Sequence, residues 1–247
     1  MPEFSSVIIG GLGAVFLGSL VQGTAGLGFA LLSVPIMIYF FPPQSTMPIL
    51  LILGTLVNTI ILYDSRKHLT FRSMVRVSII GVLSTPLGTL LLLQLDADSF
   101  KIFIGAAVFL IALLMLFGFS KKIQNEKRAV LPIGFASGIL QGSLTMCGPP
   151  VIFFLVNQGV EKQAFRANFA AFIMVMNISA ALNYSIGGLF TAEVFGVAFW
   201  LFPAVIAGGL IGIWLSRRVN EIVFKKIALI IVTIGGLSSA LSGLGLW

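Results

Sequence analysis

Long apolar runs punctuated by short charged clusters dominate the chain. Stretches matching the ~17–25 residues that a hydrocarbon core demands of a helix fall at 46–63, 73–94 and 100–119, and again at 164–185, 193–215 and 222–244. No segment alternates with the two-residue period of a barrel strand, and lipid offers no partner to open backbone groups, so these spans are predicted to be helices. Two segments, 7–41 and 130–157, fit no single span. The first contains Gly10, Gly11, Gly13, Gly18, Gly23, Gly26 and Gly28, and as one helix would run to about 50 Å. The second contains LQGSLTMCGPPVIFF at 140–154, where a glycine followed by two prolines should break a helix. Each is predicted to be two shorter helices joined at a break.

Composition makes the membrane assignment firm. Of the 247 residues 58% are hydrophobic and 9% charged, against about 25% charged in soluble domains. The chain therefore reads as an integral membrane protein without a soluble domain. Its net charge of +7 is gathered in loops, which marks topology rather than a nucleic-acid surface. Arg66, Lys67, Arg72 and Arg76 place the 64–76 loop inside, and Asp96 and Asp98 mark the following loop as external. Lys121, Lys122, Lys127 and Arg128 return the central linker to the inside. The 186–193 loop carries Glu193 alone and is external, while Arg217, Arg218, Lys225 and Lys226 make 216–226 internal. The segment 130–157 must then begin and end inside, and 7–41 begin and end outside. Both are hairpins, re-entrant or fully spanning, and both chain termini are predicted to be external. The opening MPEFSSVIIGG has no basic stretch and carries Glu3, so a cleaved signal peptide is not expected. The single cysteine, Cys147, excludes an intramolecular disulfide.

The two halves match. LVQGT at 20–24 aligns with ILQGS at 139–143, setting Gln22 on Gln141, and the same offset of 119 (141 − 22, 177 − 58) sets Asn58 on Asn177. The predicted fold class is an all-α integral membrane protein with an inverted-topology repeat, each half a broken or re-entrant hairpin plus three transmembrane helices. Residues 1–119 form the first repeat, 120–129 a cytoplasmic linker, and 130–247 the second, inverted repeat.

In such architectures broken helices meet near the midplane and their ends hold the solute. Free N–H groups and the positive end of a helix dipole at each restart, near Gly28 and Pro149–Pro150, make a site suited to an anion. Candidate binding residues are Gln22, Gly23, Thr24, Gly26, Gly28 and Asn58 from the first half. Gln141, Gly142, Ser143, Thr145, Gly148 and Asn177 are their counterparts in the second. The amides and hydroxyls supply donors, and the glycines admit a ligand close to the backbone. Asp, Glu and His are missing from the depths of the predicted spans, which disfavours a cation site, a carboxylate proton relay or an intramembrane enzyme. No metal or other cofactor is called for. Competing structural readings apply: the glutamines could serve as interhelical glue, and the asparagines could brace a broken backbone. Cys147 reads as a small buried hydrophobe, and Arg166 as a topology signal that, at a span entrance, could also attract an anion. Tyr39, Phe40, Phe41, Trp200 and Trp247 read as lipid-facing or interfacial.

Paired glycine-rich, proline-containing hairpins in two halves of a compact chain, carried here by Gln22–Gly28 with Pro35 and by Gln141–Pro150, resemble the TauE/SafE sulfite exporter family. The resemblance implies a multi-pass carrier of the bacterial inner membrane, exporting sulfite or an organosulfonate by alternating access. Its partners would be that small anion and the lipid bilayer, with no nucleic acid. An anion channel of the same hairpin architecture is the alternative function. A dimer is compatible with the sequence, but nothing in it fixes the oligomeric state. The family often carries a denser glycine run in the second hairpin; here Thr145-Met146-Cys147-Gly148-Pro149-Pro150 stands instead.

Overall fold

The computed structural model describes residues 2–26, 28–70, 74–116, 126–157, 161–216 and 218. All regular structure among them is helical: α1 (Pro2–Ala25), α2 (Phe29–Met37), α3 (Pro43–Ser65), α4 (Val75–Gln94), α5 (Ala97–Leu116), α6 (Glu126–Leu144), α7 (Gly148–Asn157), α8 (Lys162–Ile186) and α9 (Ala192–Ser216). Five of these helices, α1, α3, α4, α8 and α9, are long and apolar enough to cross a membrane, and α5 contributes the shorter apolar stretch Ile102–Ile111. The predicted spans 46–63, 73–94, 100–119, 164–185 and 193–215 correspond to α3, α4, α5, α8 and α9. The span predicted at 222–244 lies outside the described residues, as does the linker up to residue 125; residues 126–129 already belong to α6.

Both interrupted segments are broken where expected, but their arms are unequal. At about 1.5 Å per residue, α1 extends about 36 Å and α6 about 28 Å, whereas α2 and α7 extend about 14 and 15 Å. Each segment is thus one long helix followed by a half-helix too short to cross a ~30 Å core. The half-helix α2 folds back along α1: Ser33 Oγ donates to Ala14 O at 3.2 Å, and the ring of Phe40 covers Gly10. Pro42 and Pro43 then start α3, where a missing N–H costs nothing.

Close helix pairs explain one set of the glycines. A side chain on Gly208 or Gly212 of α9 would run into the backbone of α1 at Phe16 and Leu20. One on Gly134, Gly138 or Gly142 of α6 would run into the backbone of α4 at Val77, Gly81 and Thr85. Small residues permit this approach, and in lipid such packing takes over from the hydrophobic effect. These ascending contacts make α1 parallel to α9 and α4 parallel to α6. Asn177 Nδ2 donates to Thr55 Oγ1 at 2.8 Å and Thr59 Oγ1 to Met174 Sδ at 3.7 Å, so α3 and α8 are antiparallel. Each hairpin's long helix therefore packs on a helix of the other half.

The outer surface suits lipid, with Leu83, Ile186 and Phe199 among its most exposed side chains. Tyr39, Phe40 and Trp200 are exposed as expected, and Trp247 lies outside the described residues. Phe41 departs from expectation: it is buried, with its ring against Gly11, because the turn into α3 directs it inward.

The parallel pairs predict a sharp contrast between two glycines. Gly88→Ala would push a methyl into the Ile139 carbonyl, and overpacking of this kind costs about 1–3 kcal/mol. A methyl added at Gly196 of α9 would meet nothing within 4 Å. The thermal midpoint in detergent should fall for Gly88→Ala and hold or rise for Gly196→Ala; equal midpoints would contradict the packing.

Candidate functional site

The two breaks are built on the same register. The residue just past α1 is left-handed Gly26 (φ 78°), and its counterpart past α6, offset by 119 (145 − 26), is Thr145 (φ 52°). A β-branched residue rarely adopts that conformation, so the second tip holds strained backbone that the first relieves with glycine. Gly28, at φ 112°, caps the start of α2.

Each tip is stapled by its glutamine. Gln22 Oε1 accepts from Phe29 N at 3.0 Å, and its Nε2 donates to Asn58 Oδ1 at 3.0 Å. Gln141 Oε1 accepts from Cys147 N at 3.3 Å, and its Nε2 donates to Asn177 Oδ1 at 2.8 Å. A backbone N–H can only donate, which fixes the orientation of both amides. Each glutamine thus covers a donor at the start of a half-helix and ties that start to a long helix 36 residues onward. Asn58 continues to Gly54 O at 2.7 Å, and Asn177 crosses to Thr55 of the first half.

Between the staples lies a cavity with about 50 Å³ open to the centre of a water molecule. It is placed halfway along α3 and α8, against Leu51, Gly54 and Asn58 on one and Phe169, Ile173 and Asn177 on the other. The starts of both half-helices line it, through Gly28–Leu31 and Cys147–Pro149. Among the described residues no ionised side chain does. Gln22, Asn58, Thr145 and Asn177 supply its polar side-chain atoms, beside the Cys147 thiol. All four staple oxygens accept a hydrogen bond, whereas each amide nitrogen has two N–H groups and spends one on the bonds above. Beyond these bonds each amide nitrogen keeps one N–H and each amide oxygen one lone pair, and the first-turn N–H groups of the half-helices add backbone donors. Donation from the two starts differs: Pro149 and Pro150 carry no N–H, so α7 offers fewer backbone donors than α2.

The residues expected at the site divide. Gln22, Gly28, Asn58, Thr145, Gly148 and Asn177 line the cavity, and Gln141 stands directly behind Asn177. Gly23, Thr24, Gly26, Gly142 and Ser143 do not line it. Gly23 packs on α9 and Gly142 on α4. The Thr24 hydroxyl donates to Leu20 O at 2.7 Å, with Gly212 O at 3.2 Å, and Ser143 donates to Ile139 O at 2.7 Å. Helical hydroxyls reach their own preceding turn more easily than a neighbouring space. Thr145 Oγ1 lies 2.7 Å from Leu144 O. Gly26 faces the stem of Arg166.

Arg166 is more than the topology signal that its place in the sequence suggests. Its side chain is 3% exposed. Nη1 donates to Ser216 Oγ at 3.1 Å, and Nη2 donates to Gly23 O at 3.3 Å and lies 3.9 Å from Asp64 Oδ2. Tyr184, buried on the same helix, has no sequence signal to mark it, and its hydroxyl donates to Gly142 O at 2.9 Å. Among the described residues no group of three or more His, Cys, Asp or Glu could hold a metal.

Compared with models of protein families, the chain matches the sulfite exporter TauE/SafE model over residues 11–239. It belongs to the TauE/SafE family. Comparison with curated proteins and with solved structures gives no match. TauE/SafE proteins are transporters rather than enzymes, so this TauE/SafE chain is a multi-pass membrane transport protein. The family match extends across both stapled tips and the cavity between them.

Gln141→Leu tests the staple. It leaves Cys147 N and Asn177 Oδ1 without their partner in a buried site, at about 1–3 kcal/mol for each orphaned group. The purified variant should show a clearly lower thermal midpoint than wild type. An unchanged midpoint would mean that the glutamine bears no part of the fold.

Proposed function

We propose that the chain is a secondary carrier for a small anion, sulfite or an organosulfonate, working in the direction of export. Transport proceeds by alternating access around the cavity between the hairpin tips. The observation that carries this reading is a cavity lined by the starts of two half-helices, with no ionised side chain among the described lining residues. Negative charge is favoured at such starts. The site residues are Gln22, Gly28, Asn58, Thr145, Gly148 and Asn177, with Gln141 holding Asn177 in place. The two halves, 1–119 and 130–247, act as inverted repeats. The relative helix directions support this, since α3 opposes its counterpart α8 and each half's long hairpin helix packs on the other half. With the basic loops inside, the cavity lies near the midplane of the bacterial inner membrane and both termini face outward.

The place of the cavity halfway along α3 and α8 favours a carrier site near the midplane over a continuous path. Proteoliposome counterflow of radiolabelled sulfite tests the proposal. Asn58→Leu and Asn177→Leu each remove a donor from the cavity, and a hydrogen bond to a charged ligand is worth about 1.5–3 kcal/mol. Half-saturation should rise about tenfold or more in each variant, with taurine and sulfoacetate included as competitors. Unchanged half-saturation in both, with protein eluting as wild type, would remove the cavity as the binding site. Unitary currents across a planar bilayer would assign the same cavity to a channel.

A further inference from the structure

The two tips share a second correspondence, beyond the glutamine staples. Gly23 and Gly142 occupy equivalent places (142 − 23 = 119), and the carbonyl of each is held by a buried side chain of α8. At the first tip Arg166 Nη2 donates to Gly23 O at 3.3 Å; at the second Tyr184 Oη donates to Gly142 O at 2.9 Å. Arg166 and Tyr184 lie 18 residues apart (184 − 166), about 27 Å along one helix, with the cavity residues Phe169, Ile173 and Asn177 between them.

The two ends of α8 belong to opposite faces of the protein. At the Arg166 end, Asn168 is bonded to Thr70 in the turn after α3, with Asn168 Oδ1 accepting from Thr70 N at 2.9 Å, and Asp64 and Ser216 close the same end. At the Tyr184 end, Gly187 packs on Leu93 near the end of α4.

We infer that Arg166 and Tyr184 are positioning residues that latch the two hairpin tips, one toward each face of the membrane. Release of one latch opens the cavity to that face while the other stays shut. The latches differ in chemistry. Tyr184 is neutral and gives up one hydrogen bond. Arg166 is a buried cation, and withdrawing it from Gly23 O and Ser216 requires water or an anion to take their place. The first tip therefore opens, on the inner face, onto a route lined by the Arg166–Asp64 pair, whose cation suits an anion entering from inside for export. Only this role in transport rests on the carrier reading; the latches themselves are testable without substrate.

Cys147 is the sole cysteine and lines the cavity, so it reports which face the cavity opens to. A membrane-impermeant maleimide is applied to vesicles of both orientations carrying wild type, Tyr184→Phe or Arg166→Gln. Loss of one hydrogen bond shifts a two-state balance by about fivefold. Tyr184→Phe should raise Cys147 labelling by about that factor from the face of the 94–97 loop and leave the other face unchanged. Arg166→Gln should do the converse. If Arg166→Gln does not assemble, Arg166→Lys replaces it with the charge kept and the reach shortened, and Tyr184→Phe decides alone. Equal increases from both faces, or no increase, would overturn the latches, since a merely structural bond loosens the fold without a side. Weakened sulfite counterflow in the asparagine variants with unsided labelling would retain the carrier site and reject the latches.

Discussion

A helix that stops inside a membrane exposes backbone groups that lipid cannot satisfy, and the whole arrangement follows from how this chain meets that constraint. It stops twice, after α1 and after α6. At each stop one glutamine covers a donor at the restart and ties it to an asparagine on a long helix. The bonds Gln22–Asn58 and Gln141–Asn177 are thus structural necessities before they are anything else. They also pin two half-helix starts against one cavity. The N–H groups of the half-helix starts that the glutamines leave uncovered face the cavity, and on the proposed reading the device that makes broken helices tolerable also makes a place for a negative charge.

The glycines belong to the same solution. Close approach of α1 to α9 and of α4 to α6 welds each hairpin to the opposite half. Each tip is therefore packed against helices far from it in sequence. Asn177 adds a direct bridge through Thr55, linking the second tip's staple to the first half's long helix. A protein assembled in this way has few independent parts.

Much of this is visible in the sequence, for definite physical reasons. The spans are legible because lipid imposes a length and a composition. The breaks are legible because Gly26, Gly28, Gly148, Pro149 and Pro150 have conformational meaning wherever they occur. The equal spacing of 36 between glutamine and asparagine in both halves is the available sign that these residues bond to each other. Other features leave no such mark. Whether Thr24 and Ser143 aim at a ligand or at their own helix depends on rotamers. The inequality of the hairpin arms depends on where a turn can close. Arg166 resembles a topology signal because it starts a span, yet it is buried against Gly23, Asp64 and Ser216, all far from it in sequence. Tyr184 carries no polarity pattern at all. Long-range partners decide such residues, and a linear reading weighs them by neighbours.

Everything about transport here turns on where the anion sits. Selenite is the heavier isostere of sulfite and scatters anomalously, so crystals of the protein grown or soaked with it would locate the ion without reliance on shape. The expected result is an anomalous peak between the half-helix starts, within hydrogen-bonding distance of the Asn58 and Asn177 amides. A peak at Arg166 with the cavity empty, or elsewhere in the chain, would contradict a cavity-bound anion.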